Sequence, residues 1–198
     1  MVVREIKNPS PKEFEEITRI LTDAFWRTPL FTDFLFRGRK PLARSFMAAL
    51  ARYGFSVGRM FVTEDAQGIA ACALWSLPDS PPLNLRTYLK TGMWPLMLWI
   101  ALRSPLAMRR INELLQMLER YAPEGPCATL EFLASARQGA GAAAVWQSME
   151  AFAGQTLYVE SIVGKNDHAF YRQFGFEPFA RVDFHGTDYA FMLAQPRG

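Results

Sequence analysis

SARQGAGAAAVW, residues 135–146, directly follows an alternating apolar run, ATLEFLAS at 128–135. A strand, two glycines and a run of alanines in that order admit three readings. Alanine is the best helix former, so the run reads first as a slim helix that lets backbones approach closely. Glycine inside a helix costs about 1 kcal/mol relative to alanine, so Gly139 and Gly141 fit better in the turn entering that helix. A glycine turn at a helix N-terminus presents free N–H groups and the positive end of the helix dipole, which is a phosphate-binding arrangement. Residues 139–144 also match the dinucleotide fingerprint G-x-G-x-x-A, with Glu160 ending the next strand as the expected acid. No Gly-Lys-Ser or Gly-Lys-Thr follows, which excludes a Walker A loop.

Composition narrows the field. The 198 residues are 50% hydrophobic and 21% charged, an ordinary globular profile of a length that one domain, 1–198, accommodates. A net charge of +3 from scattered basic residues favours small anionic ligands and argues against a nucleic-acid binder. Cys72 and Cys127 sit among small or apolar neighbours, which points to a reducing compartment and no disulfide framework. His168 and His185 stand at no metal-ligand spacing from either cysteine, so no metal site is expected. The start, MVVREIKNPS, carries charges where a secretion signal needs an apolar core, and a cytoplasmic protein is expected. MWPLMLWIAL at 93–102 is flanked by Lys90 and Arg103 and is half the roughly 20 residues a membrane span requires.

Along the chain, VVREI at 2–6 reads as a strand, and Ser10-Pro11-Lys12-Glu13 as a capping box opening a helix with Phe14, Ile17, Ile20, Leu21 and Phe25 on its apolar face. A second helix is expected over 41–53, then a hairpin of RMFVTED and IAACALWSL split by Ala66-Gln67-Gly68. Pro78, Pro81 and Pro82 end that hairpin, and a helical insertion over about 83–121 breaks at Pro95 and Pro105. After the glycine-alanine helix, to about 153, come a strand QTLYVES, a short helix from Asn166, and strands FARVDF and YAFMLA joined at His185-Gly186-Thr187. That order predicts an α/β (α+β) fold, with a mixed central sheet of six to seven strands flanked by helices.

Gln138-x-x-Gly141-x-Ala143 matches the Q/R-x-x-G-x-G/A acyl-CoA loop of the GNAT (GCN5-related N-acetyltransferase) superfamily, which the chain resembles. KNDHAFYRQFGFEPF at 165–179 is similar to the N-x-x-x-(aromatic)-Y-x-x-x-G-F segment that closes many GNAT domains, and WSLPDSPP at 75–82 resembles the Trp-x-Leu-Pro turn of one subgroup. The chain departs from the family at Ala140 and Ala142, where larger residues are usual, and at Leu133-Ala134-Ser135, where Val-Asp-Pro is common.

The resemblance implies acetyl-CoA as cosubstrate and an amine acceptor, with no nucleic acid or membrane partner; a homodimer is compatible with it. It implies that main-chain groups at Phe132 and Leu133 pair with the pantetheine amides. The N–H groups of Gly139, Ala140, Gly141, Ala142 and Ala143 would hold the pyrophosphate, with Arg137 or Gln138 beside it. Asn166 would lie near the cofactor, and Tyr171 would give a proton to the departing thiolate. For the base, strand alternation puts Glu131 and Leu133 on one face, with the Glu131 carboxyl toward the cleft; Glu160 and Asp183 are the alternatives. Trp94, Trp99, Met93 and Met97 are read either as acceptor-side apolar surface or as core. A direct N-acetyltransferase is thereby the leading expectation. A catalytically inactive CoA-binding or partner-binding domain and a dinucleotide-binding oxidoreductase remain as alternatives.

Overall fold

Ser10 opens the first helix, α1 (Pro11–Phe25), through the expected reciprocal cap: the Glu13 N–H donates to Ser10 Oγ at 3.3 Å and the Ser10 N–H donates to Glu13 Oε2 at 2.7 Å. Ahead of it lies β1 (Val2–Ile6). The computed structural model describes residues 1–80, 94–162 and 167–196. Pro81, Pro82, the first part of the insertion including Met93, and Asn166 lie outside the described residues, as does the side chain of His168.

The sheet has seven strands in the order β1-β2-β3-β4-β5-β7-β6, with β2 (Gly58–Asp65), β3 (Gly68–Ser76), β4 (Ala128–Ser135), β5 (Leu157–Ile162), β6 (Glu177–Phe184) and β7 (Thr187–Ala194). Every neighbouring pair is antiparallel except β4 with β5. These two pair at Ala128/Leu157, Thr129/Tyr158 and Leu130/Val159, and then part. Beyond that point β4 stays on β3 as far as Ser135 and β5 stays on β7 as far as Ile162. A wedge is left between them.

One face of the sheet carries α1, α2 (Lys40–Val57), α3 (Trp94–Arg103) and α4 (Pro105–Tyr121), packed through Ile17, Leu21, Met47, Ile100 and Ile111. The other carries α5 (Ala140–Glu150), where Ala140 and Ala144 meet Ala71 and Ala73 of β3. Small residues on both partners allow the close approach, and two buried bonds fix it: Trp75 Nε1–H to Ser148 Oγ at 2.8 Å, and Thr63 Oγ1–H to the Ala140 carbonyl at 2.9 Å. A short α6 (Asp167–Arg172) leads into β6.

Three local differences from the sequence reading have physical causes. The second helix runs past residue 53 to Val57, because Gly54 lies inside it: a Cβ there would stand 2.3 Å from Leu74 Cδ2, so its absence lets α2 lie on β3. A π-helical turn, Leu30–Leu35, buries Leu30, Phe31 and Leu35 between α1 and α2, where no element was expected. In α3, Met97 and Ile100 face the core while Trp94 and Trp99 are 47% and 41% exposed, so the core reading holds for Met97 and not for the two tryptophans. The break before α4 falls at Ser104-Pro105, as the proline indicated. Among the described residues, no helix is long and apolar enough to cross a membrane.

Candidate active site

The wedge opens into a cleft of about 680 Å³. Its walls come from β4 (Leu130 to Leu133), the following loop, the first turn of α5, β5 (Glu160 to Ile162), Phe170 and Tyr171 of α6, and Phe25 at the end of α1. From Glu131 to Ser135 the edge of β4 that faces β5 has no strand partner, so its main-chain groups face the cleft.

At the wide end stands the loop that enters α5. The Ala140 N–H is bonded to the Arg137 carbonyl at 3.3 Å and the Ala143 N–H to the Gly139 carbonyl at 3.2 Å. These two, expected to serve the pyrophosphate, are therefore already engaged, because the helix begins at Ala140 rather than after Ala143. The N–H groups of Gln138, Gly139, Gly141 and Ala142 have no main-chain acceptor among the described residues, and all four residues line the cleft. Gly139 caps the helix at φ 77°, a left-handed conformation in which glycine is the unstrained choice. A Cβ on Gly141 would meet Ser135 Cβ at 3.4 Å, an ordinary contact, so protein packing does not require glycine there.

Arg137 does not sit free beside the cradle. Its guanidinium pairs with Asp65 Oδ2 at 2.8 Å and donates to the Gly68 carbonyl at 2.8 Å, so the side chain ties the loop to the β2–β3 turn. Gln138 keeps its place in the cleft wall.

The narrow end holds two carboxyls. β4 carries a bulge: Leu74 pairs with Phe132 and Trp75 with Leu130, leaving Glu131 between them. The bulge breaks the expected alternation. Leu133 packs toward α5, whereas Phe132 turns to the α1 side, edge-on to Phe25 at 5.6 Å. Glu131 interacts electrostatically with Glu160 and Tyr158 of β5 and accepts a hydrogen bond from Ser76 Oγ at 2.6 Å. Glu160 accepts from the Tyr158 hydroxyl at 3.2 Å. Burial raises the pKa of Glu131 against the Ser76 bond; burial and then the charge of Glu131 push Glu160 up to about 8. Asp183, the third candidate base, is not part of this group: it lies on edge strand β6 and accepts the Gly186 N–H at 3.1 Å, closing the β6–β7 turn.

Solved structures share this architecture. A Corynebacterium glutamicum protein described as histone acetyltransferase HPA2 and related acetyltransferase is 18% identical, with 100% of this chain and 98% of that one covered at a TM-score of 0.69. An N-acetyltransferase from Staphylococcus aureus Mu50 is 12% identical over 98% and 100%, TM-score 0.60. A Rhodopseudomonas palustris protein described as a GCN5-related N-acetyltransferase and class-II aminotransferase is 12% identical over 98% and 94%, TM-score 0.53. The chain has the GNAT fold. No family model and no curated protein matches it in sequence.

The GNAT fold removes the dinucleotide reading of the glycine stretch. That fingerprint works inside a βαβ unit continuing into a parallel sheet, whereas here β4 and β5 form the single parallel pair of a sheet closed by an antiparallel hairpin. Glu160, the acid it assigned to a ribose, is instead one of the buried carboxyls.

Within the GNAT fold, Phe132, Leu133, Gln138, Gly139, Gly141, Ala142, Glu131 and Tyr171 all come together in the cleft wall. The Tyr171 ring is set edge-on against Phe170 at 5.0 Å and Phe176 at 5.9 Å. Sequence reasoning missed Ser161, which lines the cleft at 2% exposure with its hydroxyl lacking any hydrogen-bond partner among the described residues. A serine between Glu160 and Ile162 carries no signal of that position.

Proposed function

We propose that the chain is an acyl-CoA-dependent N-acyltransferase that moves acetyl from acetyl-CoA directly to a primary amine of a small molecule or peptide. The observation that carries this reading is the wedge between β4 and β5, opening onto four N–H groups at the start of α5 that have no main-chain acceptor among the described residues. Such groups, at the positive end of a helix dipole, favour a phosphate. The unpaired edge of β4 offers partners to amides. A ligand with a diphosphate at one end and an amide-bearing arm fits both.

Acetyl-CoA supplies the acyl group as a thioester. Gln138, Gly139, Gly141 and Ala142 hold its diphosphate, and the main chain at Phe132 and Leu133 holds its arm. The amine nitrogen bonds the acyl carbon as the carbon–sulfur bond breaks. The nitrogen's proton passes to the ionised carboxylate of the Glu131–Glu160 pair. A buried carboxyl of pKa about 8 is suited to that role near neutral pH. The sulfur takes its proton from the Tyr171 hydroxyl. Cys127, raised in pKa by burial and further by the charge of Glu131, gives no support to an acyl-enzyme.

Calorimetric titration with acetyl-CoA and NADH, followed by thiol release across an amine panel, tests the reading. Acetyl-CoA heat without NADH heat, together with amine-dependent thiol release, is expected. Replacing Tyr171 by Phe should lower turnover by roughly a hundredfold and leave acetyl-CoA affinity unchanged. Tight acetyl-CoA binding with a silent panel would favour an inactive CoA-binding domain, and heat from NADH alone would overturn the proposal.

A further inference from the structure

A second cavity, of about 370 Å³, lies on the far side of the carboxyl pair from the loop that enters α5. Glu131 and Glu160 belong to the walls of both spaces. Its volume is at the small end of the range for small-molecule sites, roughly 300–1,000 Å³.

The two spaces differ in charge. The first carries Arg27 and Arg137 on its walls; the second carries Glu119, Glu131 and Glu160 and, among the described residues, no Lys, Arg or His. Its remaining surface is largely apolar, with Leu115 and Leu118 of α4 and the rings of Tyr53 and Tyr158. Each buried carboxyl commits one oxygen to a protein donor, Glu131 Oε1 to Ser76 and Glu160 Oε1 to Tyr158. Neither Oε2 has a donor among the described residues. Both residues are half-buried and line the cavity, so an ammonium head, with up to three donors, can reach these carboxyls.

We propose that this second cavity is the acceptor pocket, and that it takes a compact monoamine with a short apolar or aromatic body and no carboxylate. The amine enters beside Ala122 and Glu119 at the C-terminal end of α4 and places its nitrogen at the carboxyl pair, opposite the space assigned to acetyl-CoA. A carboxylate on the acceptor would meet three acidic side chains and, among the described residues, no base, so amino acids are rejected by repulsion. The assignment rests on the transferase reading for its chemistry but makes a binding claim of its own.

Calorimetry with 2-phenylethylamine and with phenylalanine tests it. The amine should bind, and phenylalanine should bind roughly tenfold more weakly or not at all. Ala122→Trp, at an exposed position on the rim, should weaken the amine by roughly tenfold. Glu119→Gln should weaken it by about threefold at low salt. Acetyl-CoA affinity should be unchanged in both variants. As a measurement on the unaltered protein, alkylation of Cys127, which lines this cavity, should slow in 2-phenylethylamine, with the buried Cys72 silent.

Absence of amine binding, equal binding of phenylalanine, or an Ala122→Trp variant that binds the amine normally would each overturn the proposal. If acetyl-CoA fails to bind while amine binding remains sensitive to Ala122→Trp, the transferase reading falls and the pocket stands.

Discussion

Glu131 and Glu160 stand on the two strands that part beyond Leu130 and Val159, and burial together with the charge of Glu131 lifts Glu160 to a pKa of about 8. A base must be ionised to accept a proton, so turnover should rise with pH through about 8 and level above it. Glu131→Gln removes the charge that raises Glu160, so the rising limb should move to lower pH; a pH–rate profile of kcat/KM reads the shift. The same pair sets a stability trend. Because the folded pKa of Glu160 lies above its ordinary 4.5, its contribution is fully present below about 4.5 and is lost as pH rises through about 8. Glu160→Gln should flatten that decline, of a few kcal/mol, in denaturant titrations at pH 5 and pH 9.

Gly139 and Gly141 should respond oppositely to alanine. At φ 77°, Gly139→Ala places a side chain in the left-handed region and should cost about 1–2 kcal/mol of stability. Gly141→Ala meets only ordinary contacts and replaces glycine by a better helix former, so thermal stability should hold or rise. Its methyl group would stand over the free N–H groups, and acetyl-CoA affinity should fall by roughly tenfold. Loss of stability without loss of affinity at Gly141 would argue that its glycine serves the fold.

These contrasts mark what the sequence carried and what it could not. Ser10 with Glu13, Gly139 before the alanines, and the aromatic segment around Tyr171 are local signals, each fixed by residues within a turn or two, and the structure bears out the elements they predicted. A mixed sheet of six to seven strands followed from those elements and the GNAT resemblance, and the structure has seven. The tether of Arg137 was not legible because its partners, Asp65 and Gly68, come from a distant hairpin that only the folded sheet brings alongside. Glu131 and Leu133 were put on one face because period-two alternation was assumed through a strand that in fact bulges at Glu131. A bulge depends on the register of β3 against β4, which no single strand encodes.

The Ser161 hydroxyl is buried in the cleft wall without a partner, so removing it should not harm folding. Deleting an unsatisfied buried hydroxyl relieves a desolvation cost, and Ser161→Ala should be as stable as the parent or more so. A bound ligand that satisfies this hydroxyl makes the opposite prediction for binding. Acetyl-CoA affinity or turnover should then fall by about fivefold, measured by calorimetry and steady-state kinetics on the same preparation. An unchanged affinity and turnover would leave the hydroxyl without a ligand role.

Arg137 and Asp65 separate an anchor from a phosphate contact. If the guanidinium acts by tying the loop to the β2–β3 turn, Arg137→Ala and Asp65→Ala should each weaken acetyl-CoA by about fivefold. The double variant should then be no worse than either single one, because both remove the same tether. A guanidinium that contacts phosphate directly gives a different pattern. Asp65→Ala would free a competing charge and strengthen acetyl-CoA binding, while Arg137→Ala would weaken it. The sign of the Asp65→Ala effect decides between the two, and its 2.8 Å ion pair with Arg137 predicts weakening.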